Sequence, residues 1–236
     1  MSLVPLLAQA AADESTLLKF VQGGGVVGYI IILLSIVALA LSVIHLLQLR
    51  RRTLMPEEHM AQLQELLGRG QTEQALQYCL LPENDSYLTR IMSAGLTRFL
   101  RSAFGAFEIK TALEQAGEEQ TARLYRSTDA LGVIGSVTPL LGLLGTVLGM
   151  IGAFDTVAFG AVNDASYYEG LAGNISLALI TTLQGLIVAI PAMALYTYFR
   201  NRIDAAASEA ASNVEQLAIL LEAAPTARPA GGRSAS

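Results

Sequence analysis

Polar and apolar positions are segregated along this chain on the scale of tens of residues. No Asp, Glu, Lys or Arg occurs from Phe20 to Leu49, from Ala130 to Phe154, or from Gly170 to Phe199. Each run exceeds the roughly 20 residues that a helix needs to cross a hydrocarbon core. Between the first two lies Arg50 to Asp129, too charged to sit in lipid. The pattern predicts an all-α membrane protein with three transmembrane helices.

Finer periodicity predicts helices in the polar parts. After Pro56, the run Glu57 to Leu67 has helical spacing and ends at Gly68 and Gly70, and a second run, Thr72 to Leu80, stops before Pro82. From Phe107 to Pro139 there is no proline, and Ile109, Leu113, Ala116, Leu124 and Leu131 fall near one face. Beyond the third apolar run, Ile203, Ala207, Ala210, Val214, Leu217 and Leu221 recur at helical steps until Pro225. The second and third spans should therefore extend into a cytoplasmic helical bundle. The segments expected are 1–22, an amphipathic surface helix; 23–49, the first span; 50–129, a helical cytoplasmic segment; 130–157, the second span; 158–170, a loop; 171–199, the third span; 200–224, a cytoplasmic helix; and 225–236, a tail whose Ala, Pro, Gly, Ser and Arg content reads as disordered.

Composition sharpens this picture. Charged residues make up only 15% of the chain, against about 25% for an ordinary soluble domain, which argues against a soluble enzyme. The net charge of -5 excludes a basic nucleic-acid surface. Arg50, Arg51 and Arg52 follow the first span and Arg200 and Arg202 the third, whereas only Lys19 lies on the other side. The positive-inside rule thus puts 50–129 and the C-terminus in the cytoplasm, and the N-terminus with the loop from Asp155 to Glu169 outside. The opening MSLVPLLAQAAA lacks the basic start of a signal peptide and reads as a surface-lying helix. Cys79, the single cysteine, reads as a buried small hydrophobe.

Candidate chemistry is confined to the spans. Gly142, Gly145, Gly149 and Gly152 form a ridge that lets another helix approach closely, and Ala178, Gly185, Ala189 and Ala192 offer a second. Polar groups at membrane depth are costly unless paired or wetted, which draws attention to Asn174, Ser176, Thr181, Thr182 and Gln184. Thr146 lies about 12 Å and Thr182 about 18 Å in from the outer ends of their spans, so the two hydroxyls can line one polar seam. The plainer reading is that such hydroxyls only bond carbonyls of their own helix. Pro139 and Pro191 free the carbonyls of Gly135 and Ile187, and either hydrate the cytoplasmic half or merely kink the helices. No carboxylate lies within the charge-free runs, so a partner would have to supply any protonatable group. No catalytic triad, phosphate loop or metal cluster is legible, and no enzymatic activity or cofactor is expected.

The strings IGSVTPLLGLLGTVLGMIGAF (134–154) and NISLALITTLQGLIVAIPA (174–192) resemble the paired second and third spans of the ExbB/TolQ/MotA family of ion-channel subunits. LKFVQGGGVVGYIIILLSIVALAL with its trailing LRRR resembles the first span, and three spans rather than four favour the ExbB/TolQ branch. The resemblance implies a homopentamer in the bacterial inner membrane, its N-terminus periplasmic. Its second and third spans would line a lumen holding single-span ExbD/TolR-like partners, each with a membrane-embedded Asp. Ion flow past that Asp would drive work on a periplasmic effector such as a TonB-like protein. By motif, Thr146 and Thr182 correspond to the family's pore hydroxyls, with Thr181 nearby, while Gly142, Gly145, Gly149 and Gly185 with Pro139 and Pro191 shape the helix packing. One departure is Leu177, in ISLAL, where typical ExbB and TolQ chains carry glutamate. A proton is the favoured ion, with sodium the alternative, because hydroxyls and carbonyls also coordinate sodium. A non-conducting pentameric scaffold is the second reading, favoured by Leu177.

Overall fold

The computed structural model describes residues 21, 23–50, 54–101, 106–159 and 165–223. The expected N-terminal helix, Val21 apart, the tail from Pro225, and Arg51 and Arg52 lie outside them. Among the described residues every regular element is helical: α1 (Gly25–Gln48), α2 (Glu57–Gly68), α3 (Thr72–Leu80), a 3₁₀ turn (Pro82–Asn84), α4 (Tyr87–Arg101), α5 (Ala106–Phe159) and α6 (Ala165–Ala223). Three of them, α1, α5 and α6, are long and apolar enough to cross a membrane. With 54 and 59 residues, α5 and α6 rise about 80 and 90 Å, far more than a hydrocarbon core of about 30 Å requires. The second and third spans are therefore parts of longer helices.

The chain divides into two compact units. The membrane unit comprises the described residues up to His45 with those between Thr128 and Tyr198; the other runs from Leu46 to Ser127 and from Phe199 onward. In the membrane unit both prolines are accommodated inside continuous helices, Pro139 in α5 and Pro191 in α6. Next to Pro139, the fully buried Thr138 donates its hydroxyl to the Ile134 carbonyl. His45 is buried, its Nδ1 2.6 Å from the Leu41 carbonyl.

The second unit is packed as aqueous domains are. Leu63 and Leu67 of α2, Ala75 and Cys79 of α3, and Leu88, Met92 and Leu96 of α4 are all buried. Helix α2 ends in a Schellman turn: the Gly70 N–H donates to Leu67 O and the Gln71 N–H to Leu66 O, with Gly70 at φ +74°. Helix α4, which the sequence pattern does not single out, opens with a capping box. The Ser86 N–H donates to Thr89 Oγ1 at 2.9 Å and the Thr89 N–H donates to Ser86 Oγ at 3.2 Å. Its Gly95 makes room for α5, because a Cβ there would lie 2.6 Å from Leu113 Cγ. On the predicted α5 face Ile109, Leu113 and Ala116 are buried, but Leu124 is only half-buried. On α6 the expected stripe is buried except for Ala207, which is half-exposed. Tyr125 donates its hydroxyl to Asp204 while Arg200 stacks 4.6 Å over its ring, joining α5 to α6 by a hydrogen bond and a cation–π contact. That hydrogen bond raises the Tyr125 phenol above its ordinary value.

Burial pushes the Cys79 thiol up to about 12 from its ordinary 9.0. The thiolate is the reactive form, so a maleimide at about pH 8 should leave Cys79 unmodified in the folded protein and label it on unfolding. Rapid labelling of the folded protein would refute this packing. Between about pH 9 and about pH 12 the unfolded chain releases a proton that the folded chain keeps, so stability falls through that window and is unaffected below it.

Candidate functional site

Within the membrane unit α5 and α6 run antiparallel along a seam of small residues. Taking each glycine in turn, an added Cβ at Gly152 would lie 2.9 Å from Asn174 Oδ1, at Gly149 2.8 Å from Ala178 Cβ, at Gly142 3.0 Å from Thr182 Cα, and at Gly135 2.7 Å from Met193 Cγ. Gly145 receives the Thr181 side chain in the same way, and from the opposite wall Gly185 lies against the Thr138 carbonyl. As the position on α5 falls from 152 to 135, its partner on α6 rises from 174 to 193, so the register holds over more than four helical turns. At Gly149 and Gly185 the obstructing atoms include backbone carbonyls at 2.8 Å, so a side chain there requires the helices to shift.

Polar groups are placed along this seam. At its upper part Asn174 Nδ2 donates to Thr156 Oγ1 at 3.2 Å, and the Thr156 hydroxyl donates to Gly152 O at 2.9 Å. Seven residues deeper along α6, fully buried Thr181 shares its hydroxyl between the carbonyls of Leu177 (3.0 Å) and Ala178 (2.9 Å). Half-buried Thr182 donates across to α5, to the Gly142 carbonyl at 3.2 Å. Half-buried Thr146 donates to Leu143 O of its own helix at 2.6 Å. The structure thus directs Thr146 and Thr182 to carbonyls of consecutive residues on α5, while Thr181 is enclosed between the helices. Each hydroxyl oxygen keeps acceptor capacity after donating its proton, so Thr146 and Thr182 can accept a hydrogen bond from water or ligate a cation.

The opposite wall of α6 meets α1. Gln184, 2% exposed, lies against Gly24 and Gly28, where an added Cβ at Gly28 would be 2.7 Å from its Oε1. Leu177 is half-buried and faces the start of α1, 3.3 Å from where a Gly25 Cβ would be. Its side chain is turned toward α1, about 100° around the helix from Ala178 on the glycine seam. Pro191 borders a groove of about 380 Å³ between α1 and α6, walled chiefly by Ile31, Ile32, Leu39, Ile187 and Val188. The hydroxyls of Ser35 and Ser42 in that groove donate to their own helix, at Ile32 O and Ala38 O. Among the described residues no cluster of three or more His, Cys, Asp or Glu is arranged to hold a metal.

Sequence reasoning missed Thr138 and the Asn174–Thr156 link; the signals available were a threonine beside a mid-span proline and an asparagine in a charge-free run. The seam makes a direct prediction about its glycines. Gly149→Val should lower stability by about 1–3 kcal/mol, because the helices must separate. Gly173→Ala, where nothing lies within 4 Å of an added Cβ, should be neutral or stabilising by up to about 1 kcal/mol. Thermal unfolding of both variants in detergent checks the pair, and equal midpoints would refute the packing.

Comparison with known proteins agrees with this architecture. Residues 83–212, more than half of the chain, match the model of the MotA/TolQ/ExbB proton channel family. A biopolymer transport protein ExbB homolog from Methanothermobacter thermautotrophicus (strain Delta H) is 32% identical over 191 residues, which cover 80% of this chain and 64% of that relative. This three-span chain with its glycine-seamed second and third spans belongs to the MotA/TolQ/ExbB proton channel family.

Proposed function

We propose that this protein is an ExbB-like subunit of an ion-driven motor in the bacterial inner membrane. It assembles as a homopentamer whose second and third spans surround single-span ExbD/TolR-like partners. Protons are the ions moved, and their flow past a partner aspartate is converted into work on a periplasmic effector such as a TonB-like protein. The N-terminus is periplasmic and the C-terminus cytoplasmic. The observation that carries the reading is the pair of part-exposed hydroxyls, Thr146 and Thr182, held at one level by carbonyls of consecutive residues in a seam without carboxylates.

In this mechanism the chain supplies acceptors and geometry and the partner supplies the titratable group. Thr182, tied to Gly142 O, fixes its hydroxyl relative to α5, and Thr146 presents a second acceptor beside it. Thr181 fills the notch at Gly145 and so sets the spacing of the two helices, rather than facing the ion. Gly142, Gly149 and Gly185 let the backbones approach, which keeps the hydroxyls within reach of one path. A second reading, a scaffold that organises partners without conducting, draws on Leu177 standing where a carboxylate would otherwise sit and on the intrahelical bond of Thr146.

Ion uptake into liposomes holding the complex of this chain with its single-span partner separates the two readings. Under a proton gradient, uptake should occur and should vanish when the partner's membrane aspartate is changed to asparagine; a sodium gradient should produce none. Thr146→Ala combined with Thr182→Val should slow uptake by about tenfold or more, as loss of about 1.4 kcal/mol of barrier stabilisation requires, with the assembly intact by size-exclusion chromatography. Full activity in the double variant would remove the hydroxyls from the mechanism, and work on the effector with the gradient collapsed would establish the scaffold.

A further inference from the structure

The second unit contains a feature that the membrane seam does not use. Between α5 and α6 a groove of about 750 Å³ opens to solvent, with Tyr87 and Ile91 of α4 closing one edge. Along α6 its wall is Ala207, Ala211, Val214 and Ala218, at steps of four, three and four residues. Along α5 the wall is Lys110, Glu114, Gly117 and Thr121, at the same steps. That spacing keeps each row on one face of its helix, so α5 and α6 each turn one face toward the same channel, the α6 row apolar and the α5 row largely polar. The small residues leave the channel wide, and from Lys110 to Tyr125 it runs for about 23 Å, or four turns of an occupant helix.

Its floor is apolar and its rim is acidic. Ile91, Leu113, Ala210 and Val214 are buried at the base, and Ile219 at one end is 58% exposed. Glu114, Glu118 and Glu215 stand on the rim with Lys110 as the lone cation among the lining residues. None of these carboxylates forms an ion pair with a described residue, unlike Glu65, Asp85 and Glu119 elsewhere in the unit. A complementary occupant is a helix with one apolar stripe and Lys or Arg on its flanks.

We infer that this groove docks the basic cytoplasmic segment of the single-span partner as a short amphipathic helix. The inference rests on the functional reading above and gives that partner a second attachment, outside the bilayer. Positively charged residues collect at the cytoplasmic ends of membrane spans, so a single-span subunit presents this chemistry on the side where the second unit lies. The groove's walls are the continuations of the two helices that form the membrane seam. Docking there would couple any movement of the partner to α5 and α6 directly.

Photocrosslinking in cells that express the whole complex tests this. With p-benzoylphenylalanine in place of Ala211, irradiation should link this chain to the partner, and peptide mapping should place the adduct on partner residues preceding its span. The charge-reversed variant E114K/E118K/E215K should reduce that adduct by about tenfold, the equivalent of about 1.4 kcal/mol of binding. An adduct mapping to a second copy of this chain, no adduct, or one that survives charge reversal would overturn the inference. Proton uptake and partner co-purification are measured on the same preparations. If both persist without the adduct, only the docking fails; if uptake is absent under every gradient, the functional reading fails first.

Discussion

The backbone-to-backbone approach of α5 and α6 is the contact on which the membrane unit depends. Lipid tails are as apolar as leucine, so burying leucine between spans gains little over leaving it in lipid. What remains is close van der Waals packing and interhelical hydrogen bonding, and both need the helices nearer than ordinary side chains allow. Gly135, Gly142, Gly145, Gly149 and Gly152 on α5 and Gly185 on α6 meet that need. The same proximity lets Thr182 reach the Gly142 carbonyl and Asn174 reach Thr156. Large apolar residues are turned outward instead, among them Leu140, Leu144 and Phe154 on α5 and Leu179, Leu183 and Ile190 on α6.

The same two helices obey a different rule in the second unit. There water supplies the driving force, and Ile109, Leu113, Ile203, Leu217 and Leu221 are buried as in any soluble bundle. Polar links add direction rather than bulk stability: Tyr87 meets Thr121 at 2.6 Å, Tyr125 meets Asp204, and Arg202 donates to the Leu49 carbonyl just past the end of α1. Two environments thus select two kinds of residue along one continuous helix. Glycine and threonine make contacts in the membrane unit, and branched aliphatics make them in the second.

Leu177 illustrates how a position acquires meaning from its neighbours. In the chain it is one letter from Ala178, which lies on the glycine seam, yet its side chain meets Gly25 at the start of α1. Gln184, seven residues on, also faces α1 and is buried against Gly24 and Gly28. An apolar Leu177 therefore completes the contact between α1 and α6 without requiring a partner for a charge. The Thr182 hydroxyl stands on a different face of α6, bonded to the Gly142 carbonyl of α5.

The three spans, their helical nature and the extension of two of them were legible in the sequence because charge-free runs and helical periodicity report directly on solvent. The glycine ridge and the polar residues within the spans were legible for the same reason: each departs from what lipid favours. Helix α4 was harder to read, since its start depends on the reciprocal bonds of Ser86 and Thr89 rather than on a proline or glycine signal. Which threonine is enclosed and which is part-exposed was not in the sequence at all. Thr181 and Thr182 are adjacent and chemically identical, but successive residues on a helix point about 100° apart, and only the position of α5 decided that one is sealed at Gly145 while the other bonds Gly142 at an open edge.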